Sequence, residues 1–196
     1  MSIVYLKNVT AKYPKINRPY RFDSEAGKSV PCGAFDDGAE YVINFETDDV
    51  TQMSQVHKLL KDAYREFQSN NKKAPKEPMS MPFVKNDETG LIEGKARIKA
   101  AYGTEATRKP AQIDSKRKKL PDDFRLTTGS IVNIKAKAVP YSTGMNAGVS
   151  LRLMAVQVVR FEEESDTAGF DEIEDGFSVS ESSDIAPDLE DDIPFD

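Results

Sequence analysis

Five separate stretches of this chain have the apolar and polar patterns of β-strands, and most of them alternate between the two residue types. Alternation with a period of two places one set of side chains on each face of an extended strand, so it predicts β-strands. The five stretches are residues 2–13, 40–47, 91–103, 129–139 and 149–161. We expect the first to end before Pro14. The last is apolar on both faces, which is typical of a central strand that closes a barrel.

A helical period occurs in residues 51–68, where apolar side chains recur every three or four positions. This spacing predicts an amphipathic helix with Asp49 or Thr51 as its N-cap. His57 falls beside the apolar stripe, so we interpret it as a residue that flanks the packed face rather than as a catalyst. Prolines and lysines crowd residues 70–86 and predict a long basic loop.

The composition argues against several classes of protein. The 196 residues include no apolar run of about 18 residues and no signal-peptide pattern. We therefore expect a cytoplasmic protein that does not enter a membrane. One cysteine and one histidine leave no Cys/His metal constellation. Because nucleotide-binding, hydrolase and metalloprotease motifs are also missing, we expect a protein that is not an enzyme and uses no metal or cofactor.

The charge of the chain changes sign after residue 161. Residues 162–196 hold 15 of the 33 acidic residues and none of the 27 basic ones, which leaves 27 basic against 18 acidic residues before them. The body is therefore basic, although the formal net charge is −6. The acidic tail has too little apolar surface to offset the entropy of ordering. We predict a folded domain, 1–161, and a disordered acidic tail, 162–196.

Near its end, the acidic tail has a short apolar segment, Ile-Pro-Phe at residues 193–195, which follows a run of carboxylates. A basic pocket next to an apolar slot would bind such a peptide. The residues predicted to contact a protein partner are Asp191, Asp192, Ile193, Pro194, Phe195 and Asp196. A tail that only increases solubility is the alternative.

Cations in the body fall on strand faces, and aromatic residues fall in the connections. The cations that alternate with small apolar residues are Lys95, Arg97, Lys99, Lys135 and Lys137. The segment 13–22 mixes aromatic and basic residues, although Tyr13 or Phe22 could instead fill one end of the core. Two basic runs, 108–110 and 116–119, indicate a phosphate-binding patch or a localisation signal. Rings that stack on bases and cations that hold phosphates suit a single-stranded nucleic acid.

Two parts of the body resemble the bacteriophage single-stranded DNA-binding proteins. One is Ala-Lys-Tyr-Pro-Lys-Ile-Asn-Arg-Pro at residues 11–19. The other begins with Leu-Thr-Thr-Gly-Ser-Ile-Val at residues 126–132 and continues through Tyr141 to the apolar run that ends at Val159. The match extends over most of the body.

The sequence Asp-Asp-Ile-Pro-Phe at residues 191–195 also resembles the tip of the bacterial single-stranded DNA-binding proteins. In that tip the Phe is the last residue and its carboxylate takes part in binding, whereas here Asp196 follows Phe195. A phage-encoded partner is therefore expected rather than a host protein that binds the bacterial tip.

The resemblance implies a mainly β protein with an OB-fold, a five-stranded Greek-key barrel with one internal helix, followed by the disordered acidic tail. It implies sequence-independent binding of single-stranded DNA during phage DNA replication, recombination and repair, in the host cytoplasm. The acidic tail would compete with DNA and recruit a polymerase, helicase, recombinase or nuclease, and a homodimer is one possible assembly. The DNA-binding residues it implies are Tyr13, Tyr20, Arg21, Phe22, Lys95, Arg97, Lys99, Tyr102, Lys135, Lys137, Tyr141 and Arg152.

Three other functions stay open at the level of sequence. An RNA-binding OB-fold uses the same stacking and phosphate contacts. A metal-dependent nuclease could use Asp122 and Asp123, although no His or Lys lies among spaced carboxylates. In an assembly or chaperone protein, the basic body would bind only its own acidic tail.

Overall fold

Ten strands and one helix make up the part of the chain that the computed structural model describes, residues 2–143 and 146–163. The helix is α1 (Val50–Asn70). The strands are β1 (Ile3–Asp23), β2 (Lys28–Pro31), β3 (Glu40–Thr47), β4 (Phe83–Lys85), β5 (Ile92–Lys99), β6 (Ala101–Tyr102), β7 (Glu105–Ala106), β8 (Ala111–Ile113), β9 (Ile131–Thr143) and β10 (Asn146–Arg160). The predicted partner-binding residues 191–196 lie outside the described residues.

Five of the strands close into a barrel. The order around it is β1, β3, β5, β10, β9 and back to β1. Every neighbouring pair is antiparallel except β5 and β10, which run parallel where Leu151 lies beside Ala96. A five-stranded Greek-key barrel of this kind is an OB-fold, so the predicted fold class is confirmed.

The core lies inside the barrel because the strands alternate as the sequence pattern predicts. Along β9, Val132, Ile134, Ala136 and Ala138 are buried, while the residues between them are half-buried on the outside. Larger buried side chains of other strands, including Phe45 of β3 and Leu151 of β10, belong to the same core. A Cβ placed on Gly94 would overlap the ring of the buried Phe45, so only glycine fits there.

Helix α1 begins at the predicted N-cap, where the Asp49 carboxylate accepts a hydrogen bond from the Gln52 N–H. It packs against β9 and β10 with the apolar stripe that its sequence predicts, including the buried Met53 and Leu60. His57 is half-buried at the flank, edge-on to Phe83, as expected. Among the described residues, no helix is both long and apolar enough to cross a membrane.

Strand β1 is longer than predicted, because it continues past Pro14 and Pro19 to Asp23. Strand β9 pairs with β1 only as far as Thr10, and the ladder to β3 shifts register on either side of Lys15. A proline costs no ladder hydrogen bond where its nitrogen faces an unpaired edge. The expected stop before Pro14 was therefore wrong.

Four further differences concern the strands. The segment predicted as a loop contains β4, which pairs with β5, and the basic linker contains β8, which pairs with β10. Strand β9 runs through Pro140. The last strand is not buried on both faces, because half-buried or exposed residues alternate with buried ones along it, and Met154, at a register shift, is 40% exposed.

Candidate nucleic-acid interface

Three cations from three neighbouring strands lie in register on the outside of the barrel. Lys137 of β9 is opposite Arg152 of β10, and Arg152 lies beside Arg97 of β5. The residues next to them along these strands, such as Ala136 and Leu151, are buried in the core. Like charges directly opposite each other destabilise a sheet. Sheet packing alone therefore does not favour this arrangement, which we call the cation row.

Two members of the cation row line a groove of about 800 Å³, which we call the main groove. The predicted DNA-binding residues that line it are Lys95, Arg97, Lys99, Tyr102, Tyr141 and Arg152. The groove also includes Met81 and Pro82, from the segment that precedes β4. The fold thus brings half of the predicted DNA-binding residues into one groove, although they are spread over almost 60 residues of sequence.

An aromatic ring covers one cation of the groove. The guanidinium carbon of Arg152 lies 5.4 Å from the ring centroid of Tyr102. Tyr102 ends β6 and is 47% exposed, and Gly103 takes the positive φ of 60° that the following turn requires. A base can therefore reach the ring next to a bound phosphate, which is the combination that single strands need.

Strand β10 holds one border of the main groove in place. Its Gly148 forms a bridge to Ser80, and the Val149 N–H donates to the Ser80 carbonyl at 3.1 Å. A Cβ at Gly148 would clash with that carbonyl and lie 3.0 Å from the Tyr141 hydroxyl. Glycine is therefore required for the segment 80–82 to approach the half-buried Tyr141.

A second groove, of about 460 Å³, continues from the main groove at Ile98 and Arg152. The predicted cations Lys135 and Lys137 line it. Arg108 and Lys109 also line it, although they were not among the predicted DNA-binding residues. The basic run at residues 108–110 was the signal that could have placed them there.

Tyr5 is an aromatic residue that the sequence analysis missed. It is opposite Lys135 in the pairing of β1 with β9, and the Lys135 ammonium lies 5.7 Å from its ring centroid. The ring is 56% exposed. The alternation of β1 was the available signal, because it places Tyr5 on the outer face between the buried Val4 and Leu6.

Tyr13 of β1 does not line the main groove. Its ring is 66% exposed, its φ is 45°, and its N–H donates to the Thr128 hydroxyl at 2.9 Å. It borders two cavities, of about 590 and 310 Å³. The larger shares Lys95 with the main groove, and the smaller contains Tyr20. A bulge that turns a side chain outward is a common device beside functional sites.

Arg21 and Phe22 lie away from these grooves. They belong to the end of β1 that pairs with β2, where Arg21 is opposite Val30 and Phe22 is opposite Ser29. Both are exposed, and neither lines the main groove or the cavities next to it. Their contact with DNA stays a prediction that the groove does not account for.

Carboxylates occupy part of the same surface. Arg97 forms a salt bridge with Glu40, 3.2 Å away, which also lines the main groove.

Asp122 accepts a hydrogen bond from Lys119 at 2.9 Å, and this bond and the positive charge lower the pKa of the Asp122 carboxyl. Within residues 2–143 and 146–163, no three His, Cys, Asp or Glu side chains come together as a metal site requires.

Comparison with known proteins gives similarity in fold. No protein-family model and no curated protein sequence matches the chain. The crystal structure of gp2.5, a single-stranded DNA-binding protein encoded by bacteriophage T7, matches with a TM-score of 0.60 and 22% identity over 91% of this chain and 99% of that one. The single-stranded DNA-binding protein from bacteriophage Enc34, in complex with single-stranded DNA, matches with a TM-score of 0.57 and 15% identity over 82% of this chain and 88% of that one. The expected resemblance to phage proteins of this fold is confirmed.

Proposed function

We propose that the chain binds single-stranded DNA in the main groove. The observation that carries this proposal is the cation row, which aligns Lys137, Arg152 and Arg97 next to the exposed ring of Tyr102. A phosphate backbone neutralises such a row, and its bases stack on the ring. Both structural neighbours are named as single-stranded DNA-binding proteins, and one was solved with single-stranded DNA, which supports this choice of ligand.

The same contacts make binding independent of sequence. Every base has a face that stacks on an aromatic ring, with about 1–3 kcal/mol per base, and cations contact phosphates whatever the base. The bases of a duplex are already stacked on each other and cannot reach Tyr102. The chain should therefore prefer single strands to duplexes.

Coating of single strands is the role that suits such a binding site. We propose that the chain covers and protects single-stranded DNA during phage DNA replication, recombination and repair, in the cytoplasm of the host. This role needs affinity and no chemical step, so the proposal includes no enzymatic activity. It leaves a homodimer as one possible form of the coating unit.

The acidic tail supplies a competitor for the groove. Its 15 carboxylates are tethered to a basic body, so their effective concentration at the grooves can reach about the millimolar range. The tail starts from a fixed point, since the Glu162 N–H donates to the Ser130 hydroxyl at 3.0 Å and Phe161 packs on Phe124. DNA would displace the tail, and residues 191–196 would then recruit a polymerase, helicase, recombinase or nuclease.

Binding of a fluorescein-labelled dT oligomer tests the proposal. Duplex DNA and RNA of equal length serve as competitors across a salt series. The full chain is compared with one that ends at Glu163, because Glu162 is bonded to the body. We expect a salt-dependent preference for the single DNA strand, and tighter binding after truncation.

Each other result points to an alternative. Equal weak binding to single strands and duplexes would contradict the proposal, and preference for RNA would favour an RNA-binding OB-fold. A body with no affinity for single strands at about 0.15 M salt would favour an assembly or chaperone protein. Truncation that leaves the affinity unchanged at low salt would refute competition by the tail.

A further inference from the structure

Four consecutive cations form a tight turn after β8, which we call the basic turn: Lys116, Arg117, Lys118 and Lys119. Lys119 pairs with Asp122, and the other three cations are exposed. Arg117 has a φ of 67°, in the left-handed region that non-glycine residues rarely adopt. The turn thus combines like charges with an unfavourable backbone conformation.

Hydrogen bonds within the turn hold it in this shape. The Asp114 carboxylate accepts from the N–H groups of Lys116, at 2.8 Å, and Lys118, at 2.7 Å. The Asp114 N–H donates to the Lys118 carbonyl at 2.9 Å. The cations therefore project from a defined scaffold rather than from a loose loop.

A chain of side-chain amides fixes the turn to the barrel. The Gln157 amide donates to the Asp114 carbonyl at 3.2 Å and accepts from the Asn133 amide at 2.9 Å. Asn133 in turn accepts from the Asn8 N–H of β1 at 2.9 Å. Strands β1, β9 and β10 together thus support the turn. Strain held by surrounding structure often marks a functional position.

The basic turn continues the cationic surface of the barrel. Asn133, which supports it, is on the same face of β9 as Lys135 and Lys137. Lys137 is four residues further along the strand than Asn133, a distance of about 13 Å. The second groove, with Arg108 and Lys109, lies along this face. A DNA strand that leaves the main groove along β9 passes Lys137 and Lys135 before it reaches the turn.

We propose that the basic turn is a second phosphate-binding site for the same single strand that occupies the main groove. The inference rests on the proposed function, since the main groove must place the strand first. Only an oligomer long enough to pass from the cation row along β9 would reach the turn. The basic turn would therefore increase the length of DNA that one chain covers.

Short and long dT oligomers separate the two sites. We would measure the affinity of the full chain for oligomers of about 5 and about 16 nucleotides, the range that single OB-folds cover. The variant Lys116→Gln/Arg117→Gln/Lys118→Gln removes three phosphate contacts. On the long oligomer, the slope of log K against log salt should fall by about 2, and the affinity by about tenfold. On the short oligomer, both should stay unchanged.

The matched control is Lys58→Gln/Lys72→Gln/Lys73→Gln, which removes the same charge from exposed positions on or after α1. It should leave both oligomers bound as before. The variant Gln157→Ala keeps every cation but loosens the turn. It should reduce the affinity for the long oligomer by a few-fold and leave the affinity for the short oligomer unchanged.

The possible failures are distinguishable. The second site is refuted if the turn variant binds the long oligomer as tightly as the unchanged protein does. It is also refuted if the turn variant loses the same affinity for both oligomers. In either case, binding in the main groove stands. If Gln157→Ala leaves the affinity for the long oligomer unchanged, the binding site does not depend on the fixed shape of the turn, and this part of the proposal is contradicted. If the unchanged protein binds neither oligomer, the proposed function itself fails.

Discussion

Cations on two sides of the barrel differ in whether they have a carboxylate partner within the protein. On the side of β1 and β3, Lys12 lies 3.2 Å from the carboxylate of Glu46 and so has a partner in the protein. On the side of β9 and β10, Lys137 and Arg152 face each other, and within the described residues neither forms a salt bridge. Arg97 lies between the two sides, since it joins the cation row and also pairs with Glu40.

This difference distinguishes cations that have a partner in the fold from cations that are available to a ligand. A surface cation that pairs with a carboxylate of the protein adds little to stability and needs no external anion as a partner. Unpaired cations that face each other reduce stability, and an anion that binds between them removes that repulsion. The side that is worse for the isolated fold is therefore the side to which the proposed function assigns the DNA.

Charge reversal in the cation row should have the largest effect. In the variant Lys137→Glu/Arg152→Glu, two charge-assisted phosphate contacts become repulsive. A loss of at least about 3 kcal/mol is expected, which is roughly 100-fold in affinity for a dT oligomer. Fluorescence anisotropy at fixed salt measures it. The same reversal at Lys58 and Lys72 should weaken binding much less, and an equal loss there would mean that net charge alone governs binding.

Removal of the stacking ring should have the next largest effect. Tyr102→Ala is expected to reduce the affinity for single strands by about 1–3 kcal/mol, because one base loses its stacking partner. The slope of affinity against salt should stay unchanged, since no cation is lost. Tyr102→Phe keeps the ring and should bind normally. If Tyr102→Ala also binds normally, the ring is not a stacking platform.

Release of a paired cation should have a smaller effect, in the opposite direction. Glu40→Gln frees Arg97 in the main groove and removes a carboxylate that repels phosphates. Affinity should rise by the modest energy of an exposed salt bridge, about 0.2–1 kcal/mol. The matched change Glu46→Gln, outside the main groove, should leave the affinity for short oligomers unchanged. Weaker binding by Glu40→Gln would contradict the idea that this pair opposes DNA.

Stability without DNA should respond in the opposite sense to affinity. Lys137→Gln relieves a like-charge contact, so the free energy of unfolding at low salt should rise by about 0.2–1 kcal/mol. Lys12→Gln loses a salt bridge and should not stabilise the protein. Urea denaturation at low and high salt tests both, because added salt should abolish the gain. A less stable Lys137→Gln would show that the cation row is not under repulsion.

Local patterns in the sequence determined which side of β9 faces water and which face of α1 is buried. The alternation in residues 131–138 placed Lys135 and Lys137 outside and the alanines between them inside, and the structure agrees. The helical period likewise identified the buried stripe of α1. Both signals are local, because they depend only on the geometry of one element and on whether its side chains are apolar.

Tertiary structure decided which of these residues meet. Whether Lys137 lies opposite Arg152, and Arg152 beside Arg97, depends on the register of three strands, and single-strand patterns carry no information on register. The same limit applies to Tyr5 and to Lys109, whose place near the cations depends on strand pairing. It applies also to Phe22, which the sequence grouped with Tyr13 but which lies on the far end of β1.

The sequence by itself therefore determined the mainly β character of the body, the outward cations and the charge contrast between body and tail, since each follows from the order and type of nearby residues. The OB-fold was implied by the resemblance to a family and not by these patterns. Only the tertiary structure decided that the cations form one row, that Tyr102 lies over Arg152, and that the basic turn is held in a fixed shape. Those features arise from pairing between residues far apart in the chain, where closure of the barrel sets the distances.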